Sequence, residues 1–326
     1  MAMEYDRAFT MTVAGQALKT NQTLGVLNPA TREIFAAAPD CARAELDRAV
    51  SAARSALTHW KTTAYSERQD ALRAIAARLR ESAEDLKWLL MREQGKPLAA
   101  AFEEIMWSAY WCEATATLEL PVEVTEDRPG HRCETRHIPI GVVGAIAPWN
   151  FPVILAVLKI APALLAGNTM VLKPSPLTPL TTLKIGEILR DVLPPGVLNV
   201  ISDGDDIGPW MTAHPDIDMI AFTGSTATGR KVRFALELGG NDAAIIFPDV
   251  DVNKIAEQLF WAASMKCRSP PPSRLLAAQT IRFRRGVGRC RTIGIHLDAN
   301  LDNHNGLDIY VAVCISAAAQ QLIGQR

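Results

Sequence analysis

The sequence predicts an α/β fold: a doubly wound parallel sheet with helices on both faces. Three observations predict it. Residues 141–222 alternate short apolar segments with helix-length ones, the β-α-β rhythm of a parallel sheet. The short segments run almost without polar interruption, as strands buried on both faces do. The 326 residues, 48% of them apolar with a mean hydropathy near zero, suffice for two domains and a sizeable core.

In chain order, Val26 to Thr31 reads as a strand ending in a turn, where Pro29 removes a ladder donor. Helices follow. Residues 44–60 carry apolar positions at helical spacing, and 66–94 continue the pattern through Leu72, Ile75, Leu79, Leu86 and Leu90 until Gly95-Lys96-Pro97 stops it. Residues 98–117 form another amphipathic helix, with Phe102, Ile105, Met106 and Tyr110 on one side. Residues 121–138 then show a β-like polar alternation through Val122, Val124, Arg132, Glu134 and Arg136, broken by Pro129-Gly130. The alternating region follows, with strands at 141–147, 169–173, 197–201 and 219–222 and helices at 153–166, 178–193 and 207–213. Such an order predicts a Rossmann-like, nucleotide-binding architecture.

Charge and cysteines narrow the function. With 34 basic against 35 acidic residues, the net charge of -1 argues against a nucleic-acid or membrane-surface role and leaves small molecules and copies of the chain as expected partners. The longest apolar run, 153–165, is interrupted by Lys159 and Pro162 and is too short to span a bilayer. No apolar signal segment opens the sequence, so a cytoplasmic location is expected. Cys41, Cys112, Cys133, Cys267, Cys290 and Cys314 show no paired or metal-ligand spacing, so reduced thiols and no metal are expected.

Several segments point to chemistry. Gly204 and Gly208 lie between a predicted strand and a helix, as either a tight turn or a phosphate loop; the G-x-G-x-x-G fingerprint is absent. Phe222-Thr223-Gly224-Ser225-Thr226 joins a buried strand to a helix, where free amides and the helix dipole suit a pyrophosphate, or where Ser225 or Thr226 merely caps. Lys173 ends an apolar strand at the sheet edge where ligands of such folds bind, although an isolated lysine there is usually solvated. Asn150, inside Pro148-Trp149-Asn150-Phe151-Pro152, is either an oxyanion donor or a local turn former. Glu237, between leucines and before Gly239-Gly240, sits where desolvation would raise its pKa toward that of a general base.

These segments, in this order over residues 20–262, resemble the aldehyde dehydrogenase superfamily, whose members oxidise aldehydes to acids with NAD or NADP. The resemblance implies catalytic roles for Asn150, as oxyanion donor, and Glu237, as the base that activates the deacylating water. It places the cofactor against Ile146, Ala147, Pro148 and Trp149, against Lys173 and Ser175, and near Gly204 and Gly208. Phe222, Thr223, Gly224, Ser225, Thr228 and Gly239 complete that set. Lys173 would contact the adenosine ribose hydroxyls; three positions on, where the family often has an acid, stands Pro176, so a 2'-phosphate is expected to be tolerated. The implied domains are a dinucleotide-binding domain of 1–118 and 140–238, an oligomerisation ribbon of 119–139 that makes homo-oligomers, and a truncated catalytic domain of 239–326 with an aberrant tail.

Two departures bear on activity. Between Val232 and Leu236 the family has a longer helix-strand segment, which predicts that the strand carrying Glu237 is compromised. After residue 263 the family continues into Asn-x-Gly-Gln-x-Cys, whose thiolate attacks the aldehyde. Here the text is Ser264-Met265-Lys266-Cys267-Arg268-Ser269-Pro270-Pro271-Pro272. The family cysteine would fall near Pro271. The nearest thiol is Cys267, whose pKa the flanking Lys266 and Arg268 would lower. From Gln258 to Leu297 there is no acid against eight basic residues, and neither a helical nor a strand period is expected to survive. A basic nucleic-acid arm would show interleaved aromatics, and only Phe283 is present. A frame displacement accounts better for the tail. If Lys266 to Ser269 are encoded AAA-TGC-AGG-TCA, a one-base shift reads AAT-GCA-GGT-CA, which is Asn-Ala-Gly and the start of Gln or His. Impaired catalysis is therefore expected, with a non-catalytic cofactor-binding remnant as the alternative.

Overall fold

The computed structural model describes residues 8–204, 206–225, 236–238, 281–285 and 293–297. The chain divides into two compact units, one of Met1–Gly239 with Met265–Ser269, the other of Gly240–Ser264 with Pro270–Arg326. The first is built on a seven-stranded sheet with five parallel strands. These are β7 (Val142–Ile146), β8 (Thr169–Lys173), β9 (Leu198–Val200), β10 (Met219–Gly224) and β11 (Leu236–Leu238). The predicted all-parallel sheet needs one correction. At one edge β1 (Met11–Val13) pairs antiparallel with β9, and β2 (Gln16–Leu18) pairs antiparallel with β1. Three-residue strands carry too little periodicity to be read from sequence.

Helices cover both faces. Helices α1 (Arg43–Trp60) and α7 (Ile207–Thr212) pack together against β7, while α5 (Pro152–Leu165) and α6 (Leu180–Ile188) pack together against β8, β9 and β1. Behind α5 and α6 lie α2 (Tyr65–Glu81), α3 (Ala83–Gln94) and α4 (Leu98–Thr115). The single helix predicted for 66–94 is two. Ser82, at φ -93° and ψ 0°, sits in the bridge region between them, and Glu84 and Asp85 in the first turn of α3 suit a fresh positive helix end. Of the stripe predicted for α4, Ile105 is buried and Phe102 and Met106 pack half-buried against the core, while Tyr110 departs from it at 65% exposed. Ala101, Glu104, Ser108, Ala109 and Cys112 complete the buried face.

The other elements are two-stranded. β3 (Thr23–Leu27) pairs with β4 (Ile34–Pro39), and β5 (Glu123–Arg128) pairs with β6 (His131–Thr135) as the ribbon predicted for this region. In the second unit β12 (Ile281–Arg285) pairs with β13 (Ile293–Leu297), so the expectation that no strand period survives in the tail is wrong. Ile281, Phe283 and Ile293, Ile295, Leu297 do alternate with polar residues or glycine, the period-2 signal of a strand. Among the described residues no helix is long and apolar enough to cross a membrane.

The chain enters β7 through Gly141, at φ +137°. A Cβ there would overlap Asp218 Oδ2, the atom that accepts the Val142 amide at 2.7 Å and pairs with Arg54 at 2.8 Å. Glycine is required, and with it β7 is pinned at its start to the strand it will pair with.

Candidate active site

The five parallel strands run in the order β11-β10-β7-β8-β9. After β7 the chain moves outward through β8 and β9, then returns past β7 to β10 on its other side. The carboxyl ends of β7 and β10 therefore flank the point where the winding reverses, the crevice in which open α/β sheets bind their ligands. Register brings the predicted segments together there. Ile146 lies opposite Lys173 on one side and Phe222 on the other, and Thr223 lies opposite Glu237. One sheet edge thus carries residues 146–150, Lys173, Phe222, Thr223, Gly224, Ser225 and the backbone of Glu237. The strand bearing Glu237, predicted to be compromised, is present beside β10. Thr228, Gly239 and Cys267 lie outside the described residues.

A buried polar cluster holds the loop that presents Asn150. Lys96 and Glu104, each about 1% exposed or less, form an ion pair. The second Glu104 oxygen accepts the Val153 and Ile154 amides at 2.8 and 3.2 Å, which satisfies the free N–H groups at the start of α5. Lys96 Nζ also lies 4.3 Å from the centre of the Phe151 ring and donates to the Asn150 carbonyl at 3.4 Å; Gln94 Nε2 donates to the same oxygen at 3.3 Å. Asn150 itself is half-buried. Burial pushes the Glu104 carboxyl up, against the pull of Lys96. The Asn150 carbonyl is therefore held from α3 and from the turn after it, and the start of α5 that follows is held from α4.

Lys173 is not the solvated lysine that an isolated cation at a strand end suggests. It is 6% exposed, and its Nζ lies 2.8 Å from Oδ1 of Asp203, a residue 1% exposed at the end of β9. The other Asp203 oxygen accepts the Ile207 amide at 2.7 Å and so caps α7. Ser175 is used locally, its Oγ accepting the Leu177 amide at 3.3 Å. The Gly204 amide donates to Asp40 Oδ1 at 3.1 Å. A Cβ placed on Gly204 or Gly208 would meet nothing within 4 Å, so open space, not packing, surrounds both glycines. A Cβ on Gly224 would instead come 2.5 Å from the Phe222 ring, so that glycine is required by its neighbour. On α5, Lys159 donates to the Thr223 hydroxyl across the crevice.

A dinucleotide fits this arrangement. The crevice lies at the winding reversal, open space stands over the Gly204–Gly208 turn, and a cation–carboxylate pair sits at the end of β8 where a ribose would lie. The sequence did not point to Lys96, Glu104, Lys159 or Asp203. Glu104 and Lys159 are legible in principle as charges on otherwise apolar helix faces; Lys96 falls within the Gly95-Lys96-Pro97 helix stop.

The aldehyde dehydrogenase family pattern matches residues 17–267, well over half of the chain. The chain belongs to the aldehyde dehydrogenase family. It is 38% identical over 270 residues to a probable aldehyde dehydrogenase of Pseudomonas, covering 80% of this chain and 55% of that protein. It is also 38% identical over 294 residues to a chloroplastic betaine aldehyde dehydrogenase of Amaranthus hypochondriacus, covering 82% and 58%. Among solved structures, a betaine aldehyde dehydrogenase from Staphylococcus aureus in complex with NAD+ superposes with a TM-score of 0.74 at 30% identity, over 78% of this chain and 55% of that one. An NADP-dependent enzyme of E. coli gives 0.74 at 33% identity, over 79% and 57%. The chain spans a little over half the length of these relatives.

Proposed function

We propose that the site is built for NAD(P)-dependent oxidation of an aldehyde to a carboxylic acid, and that this chain binds the dinucleotide but turns over poorly or not at all. The observation that carries the first part is the sheet register, which sets Asn150's loop, Lys173, the Phe222–Ser225 turn and Glu237 side by side at one strand edge. Two relatives' names, an NAD+ complex and an NADP-dependent enzyme, support the cofactor class.

Within that reading, bound NAD or NADP supplies a hydride acceptor. The Asn150 amide donates to the aldehyde oxygen as it becomes negative during thiol attack, with its loop fixed beforehand by Lys96, Glu104 and Gln94 so that no reorganisation is needed. Glu237 takes the proton of the water that releases the acid. What is missing is the thiol, because residues 264–272 carry neither the Gly-Gln lead nor a cysteine at the matching place, and the family match itself stops at residue 267. The frame-displacement reading supports impairment and is tested by the gene. The expected result is a single-base displacement near the codon of Lys266 that restores Asn-x-Gly-Gln-x-Cys and a family-like continuation; a gene that restores neither overturns it.

We further propose that the β5–β6 ribbon meets a second copy of the chain. Val122, Val124, Ile138 and Ile140 are 43–83% exposed on and beside it, more apolar surface than an unpartnered ribbon usually presents.

A further inference from the structure

We infer that Asp203 sets the choice between the two dinucleotides, against the 2'-phosphate. The inference rests on the cofactor-binding reading above and adds which form is taken. In sheets with this strand order, the group at the end of the second strand outward from the reversal faces the adenosine ribose. An acid there favours a free 2'-hydroxyl, and a cation accommodates a 2'-phosphate. Here that strand is β8 and it ends in Lys173, with Pro176 following. Taken alone, this cation would attract the phosphate.

Asp203 reverses the expectation. Its Oδ1 lies 2.8 Å from Lys173 Nζ, and both residues are almost fully buried, so the ammonium is neutralised in place. The carboxylate is held from a second direction, because its Oδ2 accepts the Ile207 amide at 2.7 Å, and moving it aside would uncap α7. Asp40, bound to the adjacent Gly204 amide, adds a second acid to the same corner, and Asp206 follows at the cap position of α7. A 2'-phosphate of about two negative charges would meet these acids with the lysine already paired. A free ribose diol carries no charge and meets no such repulsion.

The test is equilibrium binding of NADH and NADPH to the purified 326-residue chain, read by nicotinamide fluorescence, which needs no turnover. Wild type is expected to bind NADH at least tenfold more tightly than NADPH. Asp203→Asn keeps the side-chain shape and an oxygen for the Ile207 amide while removing the charge; it is expected to cut that preference by tenfold or more through tighter NADPH binding. Asp203→Ser, with a shorter capping oxygen, should shift the ratio in the same direction should the first variant fold poorly. Equal affinity of wild type for both forms overturns the inference, as does an unchanged ratio in a folded variant. Both outcomes leave the cofactor-binding reading standing, whereas no binding of either form overturns that reading and the inference with it.

Discussion

Glu104 touches no substrate in the proposed reaction, yet the Asn150 carbonyl and two amides in the first turn of α5 depend on it or on its partner Lys96. Removing one member of a buried pair strands the other, at about 3–5 kcal/mol. Glu104→Ala is therefore expected to lose roughly that much stability in urea unfolding, whereas replacing Glu104 and Lys96 together by apolar residues of similar volume should cost clearly less; equal losses would show that the charges are not coupled. Glu93 offers a pH test. Its carboxylate accepts the Leu180 and Thr181 amides at 2.7 and 2.9 Å at the start of α6, but complete burial raises its pKa from 4.5 to about 7. The folded state then holds a proton that the unfolded chain has released between those values, so this contribution is full below about pH 4.5 and is lost as pH rises through about 7. It amounts to about 3 kcal/mol. The stability difference between wild type and Glu93→Gln should shift by about that amount between pH 5 and pH 8, in favour of the variant at high pH. A difference that does not change with pH would remove Glu93 as its source.

At the scale of elements, the turn into β9 is a pressure point. Gly196 has φ +85°, and a Cβ there would come 2.6 Å from the Ala52 carbonyl of α1. Gly196→Ala combines a left-handed conformation with a backbone clash and is expected to destabilise by about 2 kcal/mol or more, measured by thermal melting; a cost under half of that would mean α1 yields easily. The proposed ribbon contact makes a different prediction. Val124→Lys with Ile138→Lys should lower the mass seen by light scattering toward that of one chain, and an unchanged mass would dismiss the ribbon as the interface. Elements with long, strongly patterned segments were legible from sequence: β8 was placed to the residue and α1, α5 and α7 within a residue or so at each end. What failed was local. Nothing periodic announces β1 or β2, and the break at Ser82 interrupts an apolar pattern that runs on through Leu86 and Leu90.

For the molecule as a whole, the motifs around Asn150, Lys173 and Phe222 were readable because each is a short contiguous string at a strand end. The polar contacts behind them were not, since Asp203 meets Lys173 from thirty residues away in sequence and Glu104 reaches α5 from forty-nine. Such partners become visible only when register and packing are known. In the proposed reading, a dinucleotide crevice with its winding, register and buried pairs in place is followed by a 264–272 segment without the family's nucleophile. The most direct test is one preparation of the purified chain assayed both for NADH binding and for aldehyde-dependent formation of NADH. Saturable binding with negligible turnover across a panel of aldehydes is the expected result. Sustained acid production matched by NADH, and abolished on alkylating Cys267, would contradict it.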